Sequence, residues 1–487
     1  MINTRQVWQW IKESPLTMTL LLSIALSFAS LSYRASMNPD GMLYVMGGRV
    51  FIEEGFRAAL NYFNWPFLSI LIGITASILH IPYEMAGHLL ITLMISTTCV
   101  LMVKITQRYV PSSAWLACLV VLALPAINED RHNIMRETGA WMFLALAIWL
   151  AIRTPKRVDV LNAIGPTLAL LLSALFRAEF AVFYPALILW QWYALKENRS
   201  LSNSIRLFAF PATAALLLLA IFALSDITIH RITGFLSYLS LDPLKEKFEA
   251  NAAHIGLFMH PDFGQDGNRA VLAWGILGYI FNSFVEICYS LNIPLIIGIY
   301  WAIRNKKSFA PLGSLFVSIT VVIIFFVFQL YFLSDRYSAP MALLCVPLIS
   351  YGMFQLYASK RRLAIYLVTG LLVLNTLDNI ITTGDQDTHL AQAGEWIQQH
   401  QLPEQETYID YARIAYHADW VHYPFSGDGK GDDAERDAAY SNPGIRYMTL
   451  FRHASDDELK WLEGKDLELL AEFTNSKGRK VLILKKP

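Results

Sequence analysis

The stretch PLTMTLLLSIALSFASLSY, residues 15–33, is an unbroken run of mostly apolar residues. As a helix, a run of this length crosses the roughly 30 Å hydrocarbon core of a membrane. Comparable runs recur as far as residue 382, in a chain of 487 residues that is 55% hydrophobic and only 16% charged. Soluble domains do not contain so many apolar runs of this length. The sequence therefore predicts an α-helical polytopic membrane protein.

Composition also narrows the choice of partners. The formal net charge is zero, so no basic field favours nucleic acid. The cysteines lie in apolar runs without the spacing of metal ligands, which predicts core packing; they are Cys99, Cys118, Cys288 and Cys345. The first apolar run lacks a small-residue cleavage site and is long for a signal peptide, so we expect it to be retained as an anchor.

Basic residues near the ends of apolar runs predict the cytoplasmic side of the membrane. Arg5 and Lys12 place the N-terminus inside, and Lys104 marks the next inside loop. Counting crossings between such anchors predicts about 11 helices, with the N-terminus inside and the C-terminus outside. The predicted crossings are 15–33, 85–103, 113–127, 137–152, 159–176, 180–195, 207–225, 285–303, 309–333, 338–357 and 363–382.

Two apolar segments are predicted to lie along the membrane surface rather than to cross it. Only one crossing fits between residue 34 and Lys104, so the short run 66–81 is predicted to be interfacial or re-entrant. The same count predicts an interfacial helix before the crossing at 285–303.

After Thr383 the composition becomes charged and polar. Residues 384–487 contain the helix-like segments LAQAGEWIQQH and DDELKWLEG and the strand-like segments RYMTLF and KVLILKK. We predict two domains, a transmembrane domain over residues 1–383 and a small extracytoplasmic α/β domain over residues 384–487.

Four predicted outer loops concentrate ionisable residues. They carry Asp40 in SMNPDGMLYVMGGRVF (36–51), with Arg34 nearby; Glu129, Asp130, Arg131, His132, Arg136 and Glu137 in NEDRHNIMRE; Arg177 and Glu179 in FRAEF; and Asp335, Arg336 and Tyr337 in LSDRYSAP. Ionisable groups at the edge of a membrane usually face a cavity or a partner. Arginines bind a phosphate through forked, charge-assisted hydrogen bonds, and a carboxylate accepts a proton from a hydroxyl. Both types together suit a transferase with a lipid-phosphate donor.

Several of these motifs resemble the GT-C superfamily of integral-membrane glycosyltransferases, which use polyprenyl-phosphate-linked sugars. The resemblance rests on DGMLY, NWPFLSILIG, PAINEDRHNIMRETGAWMFLALAIWL, the Arg-x-Glu turn of LFRAEFAVFYP, the Arg-Tyr-x-x-Pro turn of DRYSAPM, and AGEWIQQHQLPEQETYIDYARIAYHAD at the start of the outer domain. Within the superfamily, the chain is similar to protein O-mannosyltransferases, lipid A aminoarabinose transferases and bacterial lipopolysaccharide-core transferases. The expected fold is therefore GT-C-like, with interfacial helices in the first outer loop.

The resemblance implies that Asp40 is the catalytic base and that an acid of the second outer loop assists it or binds a divalent metal. Because Glu129 precedes Asp130, which of the two acids matches the family position stays open. A metal, if any, would use Asp40, Asp130 and His132. The alternatives are that Asp40 only caps a helix in NPDG, and that Glu129 and Asp130 form a solvated loop tip.

The expected phosphate-binding residue is Arg336, followed by Arg136 and Arg177. Glu179, Tyr337 and Tyr44 complete the predicted substrate site. Each has a structural alternative: Arg177 and Glu179 as a brace between two helices, Arg336 as a snorkelling side chain, and Tyr44 with Trp65 as interfacial aromatics.

We therefore predict a glycosyltransferase of the bacterial inner membrane with its site on the outer face. It would move a monosaccharide from a polyprenyl-phosphate donor to an envelope lipid, glycan or protein, with inversion in a single displacement. The alternative function is a lipid-linked-saccharide transporter or flippase, which requires ionisable residues along a path through the helices, where Glu286 is the doubtful case. A third possibility is a transferase like the O-antigen ligases, which uses a diphosphate-linked polymer. His254, His260 and Asp262 have a loose spacing like that of metal ligands, but a solvated loop is the favoured interpretation. The region 227–270 matches no known motif.

Overall fold

A computed structural model of the chain describes residues 13–32, 37–153, 160–195, 200–224, 241–259, 264–359, 362–379, 387–420, 433–452, 460–462 and 464–487. These residues are mostly helical, with a small sheet near the C-terminus. The first helices are α1 (Pro15–Ser32), α2 (Pro39–Glu54), α3 (Phe56–Tyr62), α4 (Phe67–Leu79), α5 (Tyr83–Tyr109), α6 (Ala114–Ala123), α7 (Pro125–Asn128), α8 (Arg136–Ile152), α9 (Val160–Phe176) and α10 (Phe183–Ala194). They are followed by α11 (Leu201–Leu224), α12 (Leu241–Gly256), α13 (Gly264–Cys288), α14 (Asn292–Arg304), α15 (Ala310–Leu330), α16 (Asp335–Ala358), α17 (Arg362–Asp378), α18 (Thr388–Gln399), α19 (Ala412–His417) and α20 (Asp433–Ser441).

Within the described residues, four helices are long and apolar enough to cross a membrane, namely α1, α5, α15 and α16. A fifth candidate is formed by α13 and α14, which are bent by 96° at the break between them. These helices confirm the predicted runs 15–33, 85–103, 309–333 and 338–357. The chain therefore has the helix lengths and composition of a polytopic membrane protein. Other predicted crossings also fall on helices, among them α8 and α9 with 17 residues each.

The chain divides into two compact units. The first combines residues 1–30 with 90–381, and the second combines residues 31–89 with 382–487. The second unit thus includes α2, α3 and α4 as well as the C-terminal sheet.

The basic loops of the first unit share one end of its helices. The Lys104 ammonium lies 4.8 Å from the Trp149 ring centroid, and the Arg153 guanidinium lies 4.4 Å from the same ring. Since α8 starts at Arg136 and ends next to Arg153, the loop before α8 lies at the opposite end. Lys104 and Arg153 therefore lie at the end of α8 that is opposite the NEDRHNIMRE loop.

In the second unit, α2 and α4 cross with their backbones in contact. A Cβ atom placed on Gly73 would lie 2.6 Å from the carbonyl oxygen of Gly48, which is closer than real Cβ contacts allow. Glycine at both positions therefore allows α2, the helix that carries Asp40, to pack with its backbone against that of α4. The 13 residues of α4 span about 20 Å. This length puts α4, like α6, among the apolar helices that are shorter than a full membrane span, so the interfacial or re-entrant segment at 66–81 stays a prediction.

The sheet of the second unit has the strand order β1-β2-β4-β3. Its strands are β1 (Thr407–Ile409), β2 (Tyr447–Arg452), β3 (Glu468–Thr474) and β4 (Lys480–Lys485). β1 and β2 are parallel, whereas β4 pairs antiparallel with both β2 and β3. Side chains of α18 and α19 pack on one face of the sheet, and Ala439 of α20 packs on the other. Four consecutive residues of β4 are buried because both faces are covered.

Three segments of this domain confirm the sequence prediction: LAQAGEWIQQH lies in α18, RYMTLF in β2 and KVLILKK in β4. In DDELKWLEG, residues 460–462 form a 3-10 turn, and residues 456–459 lie outside the described residues. β1, β3 and α20 were not predicted.

Candidate active site

Arg177 joins two of the predicted outer loops of the first unit. Its guanidinium forms an ion pair with Glu137 at the start of α8, and it donates a second charged hydrogen bond to Glu179 Oε1 at 3.1 Å. The Tyr337 ring at the start of α16 lies 4.5 Å from the Arg177 guanidinium carbon. The loops NEDRHNIMRE, FRAEF and LSDRYSAP therefore meet in space.

Burial and charge act in opposite directions on Glu179. Burial raises the pKa of this carboxyl, but the positive charge of Arg177 and its hydrogen bonds outweigh burial and lower the pKa to about 2. Arg136 contributes to the same lowering and is therefore near Glu179 as well. Because Glu137 and Glu179 both neutralise Arg177, the contacts favour a structural brace over phosphate binding for Arg177.

Arg336 has a different environment. It donates to Ser334 Oγ at 3.5 Å and approaches Met135 Sδ at 4.0 Å, and its side chain is half-buried. Both of these acceptors are neutral groups. We call Arg136, Glu137, Arg177, Glu179, Arg336 and Tyr337 the arginine–carboxylate cluster.

Acidic residues surround Glu129 next to this cluster. Partial burial raises the pKa of Glu129, and the negative charges of Asp130, Asp335 and Asp378 raise it further. Asp130 accepts a hydrogen bond from Asn133 Nδ2 at 2.6 Å. A raised pKa is typical of acids that exchange protons at functional sites. The choice between Glu129 and Asp130 stays open, and the surroundings of Glu129 favour its protonated form.

Arg131 is a buried residue that sequence reasoning did not single out, because its partners are far apart in the chain. Only 2% of the residue is exposed. Within the described residues it donates to neutral groups, which are the carbonyl and hydroxyl oxygens of Ser23, Ser27 Oγ, Asn128 Oδ1 and Cys99 Sγ. These bonds anchor the acidic loop to α1 and α5. The serines of α1 at positions 23 and 27, one helical turn apart, are the sequence signal that points to such a partner.

Of the predicted metal ligands, Asp130 and His132 belong to the first unit and Asp40 to the second. His132 is buried, with Nδ1 3.3 Å from Ser30 Oγ. Among the residues that the structure describes, no group of three or more His, Cys, Asp and Glu side chains could hold a metal ion.

Asp40 and Tyr44 belong to the second unit. Asp40 is the second residue of α2, and Asn38 occupies the N-cap position. Asp40 therefore lies in the first turn of α2 and not at the N-cap, and a carboxylate in the first turn also stabilises a helix N-terminus. Tyr44 is buried and packs edge-on against Phe63, with ring centroids 5.6 Å apart. This environment suits a packing residue better than an interfacial aromatic.

Some predicted loop residues cannot be placed. Arg34, His260 and Asp262 lie outside the described residues, as does the segment 225–240. The predicted loop is wrong for His254, which lies in the last turn of α12.

No protein-family model matches the sequence, and no curated protein matches it. The resemblance to the GT-C superfamily therefore stays a prediction, and the case for a function depends on the site.

Proposed function

We propose that this protein is an integral-membrane glycosyltransferase of the GT-C type. It transfers a monosaccharide from a polyprenyl-phosphate donor to a lipid, glycan or protein of the cell envelope. The observation that supports this most directly is the meeting of three loops, in which Arg177 links Glu137, Glu179 and Tyr337 while Arg336 lies against Met135. A guanidinium group such as that of Arg336, at the end of an apolar helix bundle, suits a phosphate attached to a lipid chain.

In this proposal the arginine–carboxylate cluster faces the outside of a bacterial inner membrane. Lys104 and Arg153 lie at the opposite end of the first unit, and basic loops face the cytoplasm. The proposed topology keeps about 11 crossings, with a cytoplasmic N-terminus and a periplasmic C-terminal domain.

The proposed reaction is a single displacement. The acceptor hydroxyl oxygen attacks the anomeric carbon of the donor sugar, and the bond from that carbon to the phosphate oxygen breaks. Asp40 takes the hydroxyl proton, and Arg336 stabilises the polyprenyl phosphate that leaves. Glu129 assists at the acceptor side. The expected stereochemical outcome is inversion at the anomeric carbon.

No step of this reaction is assigned to a metal ion, since the described residues lack a suitable set of ligands. The binding of the negatively charged leaving group is instead assigned to guanidinium groups, which need no metal to neutralise a phosphate.

The position of Glu286 supports an enzyme rather than a transporter. This acid acts electrostatically on Asp335 and accepts a hydrogen bond from Asn282 Nδ2 at 2.8 Å. It therefore lies at the end that carries the arginine–carboxylate cluster. A transport path needs such groups in the middle of the bundle.

Mass spectrometry of envelope glycolipids and glycoproteins tests the proposal. A deletion strain should lack one sugar on one class of acceptor, and the wild-type gene should restore it. An unchanged set of envelope glycans in the deletion strain would contradict the proposal. Purified protein in detergent then separates the two functions, because a transferase forms product without two compartments and a transporter does not.

A further inference from the structure

The segment 411–419 of the second unit contacts the helix that carries Asp40 at two places, just before its first residue and in its second half. Near the start of α2, Arg413 Nη2 donates to the carbonyl oxygen of Met37 at 3.2 Å. Further along α2, Arg49 Nη1 donates to Asp419 Oδ1 at 2.6 Å. The C-terminal domain thus holds α2 at two points that lie more than two helical turns apart.

Apolar contacts support the same attachment. Met46 and Val50 of α2 pack against Tyr416 of α19. The Tyr416 hydroxyl also donates to Glu84 Oε2 at 3.2 Å. Residues 413, 416 and 419 of the segment therefore all contact α2, the residue that precedes its N-cap, or Glu84 at the start of α5.

Arg413 is built into the second unit as a fixed group. The residue is 8% exposed, and its Nη1 donates to Asp387 Oδ2 at 2.7 Å and to the Tyr411 hydroxyl at 3.4 Å. One branch of the planar guanidinium is therefore held by a carboxylate, which leaves the other branch aimed at the Met37 carbonyl. A buried, charge-assisted hydrogen bond of this kind orients its acceptor.

The Met37 carbonyl lies immediately before the helix that carries Asp40. Met37 precedes the N-cap residue Asn38, whose carbonyl oxygen accepts from the Met42 amide at 3.1 Å. The backbone just before α2 is thereby fixed on one side by Arg413 and on the other by the helix itself. Asp40 follows three residues after Met37, so its backbone position depends on this bond.

We infer that Arg413 of the C-terminal domain is a positioning residue for Asp40, acting through the Met37 carbonyl oxygen. This inference rests on the proposed function, in which Asp40 accepts the proton. It gives the periplasmic domain a role in the transfer step, because misplacing a reacting group by about 1 Å lowers a rate on the order of 10²-fold.

The test compares variants of the purified full-length protein. Arg413→Gln should lower kcat on the order of 10²-fold and leave KM for the polyprenyl-phosphate donor unchanged. Hydrogen exchange of backbone amides in residues 40–45 should become faster in the same variant. Arg413→Lys should give intermediate values of both, since an ammonium group can bind Met37 or Asp387 but lacks the fork that holds both.

Arg436→Gln is the matched control. Arg436 is another arginine of the C-terminal domain and forms an ion pair with Asp410 at 2.7 Å. Its removal should lower the melting temperature while kcat stays near the wild-type value.

Two results would overturn the inference alone. One is an Arg413→Gln protein with unchanged kcat or unchanged exchange in residues 40–45. The other is a loss of kcat in Arg436→Gln as large as in Arg413→Gln, which would indicate a general effect of domain stability. A fully active Asp40→Asn protein is a separate result, and it would overturn the proposed function together with the inference.

Discussion

Arg177 and Glu137 form an ion pair that joins the FRAEF turn to the first turn of α8, with only 3% and 4% of their side chains exposed. Forty residues separate the two positions in the chain. Glu179 binds the same guanidinium, so one buried cation holds two carboxylates. This arrangement organises the end of the first unit at which Arg336 and Glu129 also lie.

Removing Arg177 should therefore destabilise the protein strongly. Arg177→Met leaves the buried Glu137 carboxylate without its partner, and we expect a loss of about 3–5 kcal/mol in the free energy of unfolding. The double variant Arg177→Met with Glu137→Gln should recover part of this loss, because the more deeply buried of the two carboxylates is then neutral and only the partly exposed Glu179 lacks its partner. Thermal unfolding followed by intrinsic fluorescence in detergent measures both.

Arg269→Gln provides the control for this prediction, since Arg269 pairs with Glu249 on the surface. Exposed pairs contribute about 0–1 kcal/mol. Equal destabilisation by Arg177→Met and Arg269→Gln would contradict the structural role of the buried pair.

Glu179 should make the stability of the first unit depend on pH. Its pKa falls to about 2 in the folded protein from an ordinary value of 4.5. A group with a lowered folded pKa stabilises the protein above its unfolded pKa, and this stabilisation is lost as the pH falls from 4.5 toward about 2. The melting temperature of Glu179→Gln should therefore differ most from the wild type near neutral pH, and the two should converge toward pH 2. A difference that stays constant with pH would refute this role for Glu179.

The crossing of α2 and α4 should not tolerate a single added methyl group. Gly73→Ala places a Cβ against the Gly48 carbonyl, and overpacking of this kind costs typically about 1–3 kcal/mol. Gly275→Ala is the matched change, because a Cβ at that helical position meets no atom within 4 Å. We expect a lower melting temperature for the first variant and an equal or higher one for the second. The opposite order would mean that the two backbones are not in contact.

Arg336 should contribute to donor binding rather than to folding. Charge-assisted hydrogen bonds contribute about 1.5–3 kcal/mol, so Arg336→Gln should lower kcat/KM for the donor about 10- to 100-fold. Arg336→Lys should retain part of the activity because it keeps the charge and loses the fork. Arg304→Gln serves as the control, since Arg304 stacks on Trp301 in a basic loop that is predicted to face the cytoplasm. The measurement is kcat/KM for the donor, obtained by varying the donor concentration. Equal values for Arg336→Gln and Arg304→Gln would refute the role of Arg336 in donor binding.

The apolar periodicity of the sequence was sufficient to predict several spans and parts of the C-terminal domain. Runs such as 309–333 and segments such as KVLILKK are recognisable by themselves, because a span of the hydrocarbon core or a strand covered on both faces requires continuous apolar residues. β1 was missed because three residues are too few to show alternation. β3 was missed because its side chains are mostly exposed or half-buried.

The meeting of the three loops was only partly predictable. Counting crossings placed Glu137, Arg177 and Tyr337 on the same side of the membrane, and the structure brings these three into direct contact. Two features depend on contacts between distant positions of the chain. Arg177 pairs with two carboxylates, and Arg131 donates to Ser23 of α1. No spacing within the sequence encodes such contacts, so sequence reasoning left brace and phosphate binding as equal alternatives for Arg177.

The rate of sugar transfer by Asp40→Asn tests the central claim most directly. The substitution keeps the shape of the side chain and removes its ability to take a proton. Glu54→Gln, at the exposed end of the same helix, is the matched control. We predict that purified Asp40→Asn protein keeps the wild-type melting temperature and loses about 10²- to 10⁴-fold in kcat, while Glu54→Gln stays active. Full transfer activity in Asp40→Asn would contradict the proposed mechanism.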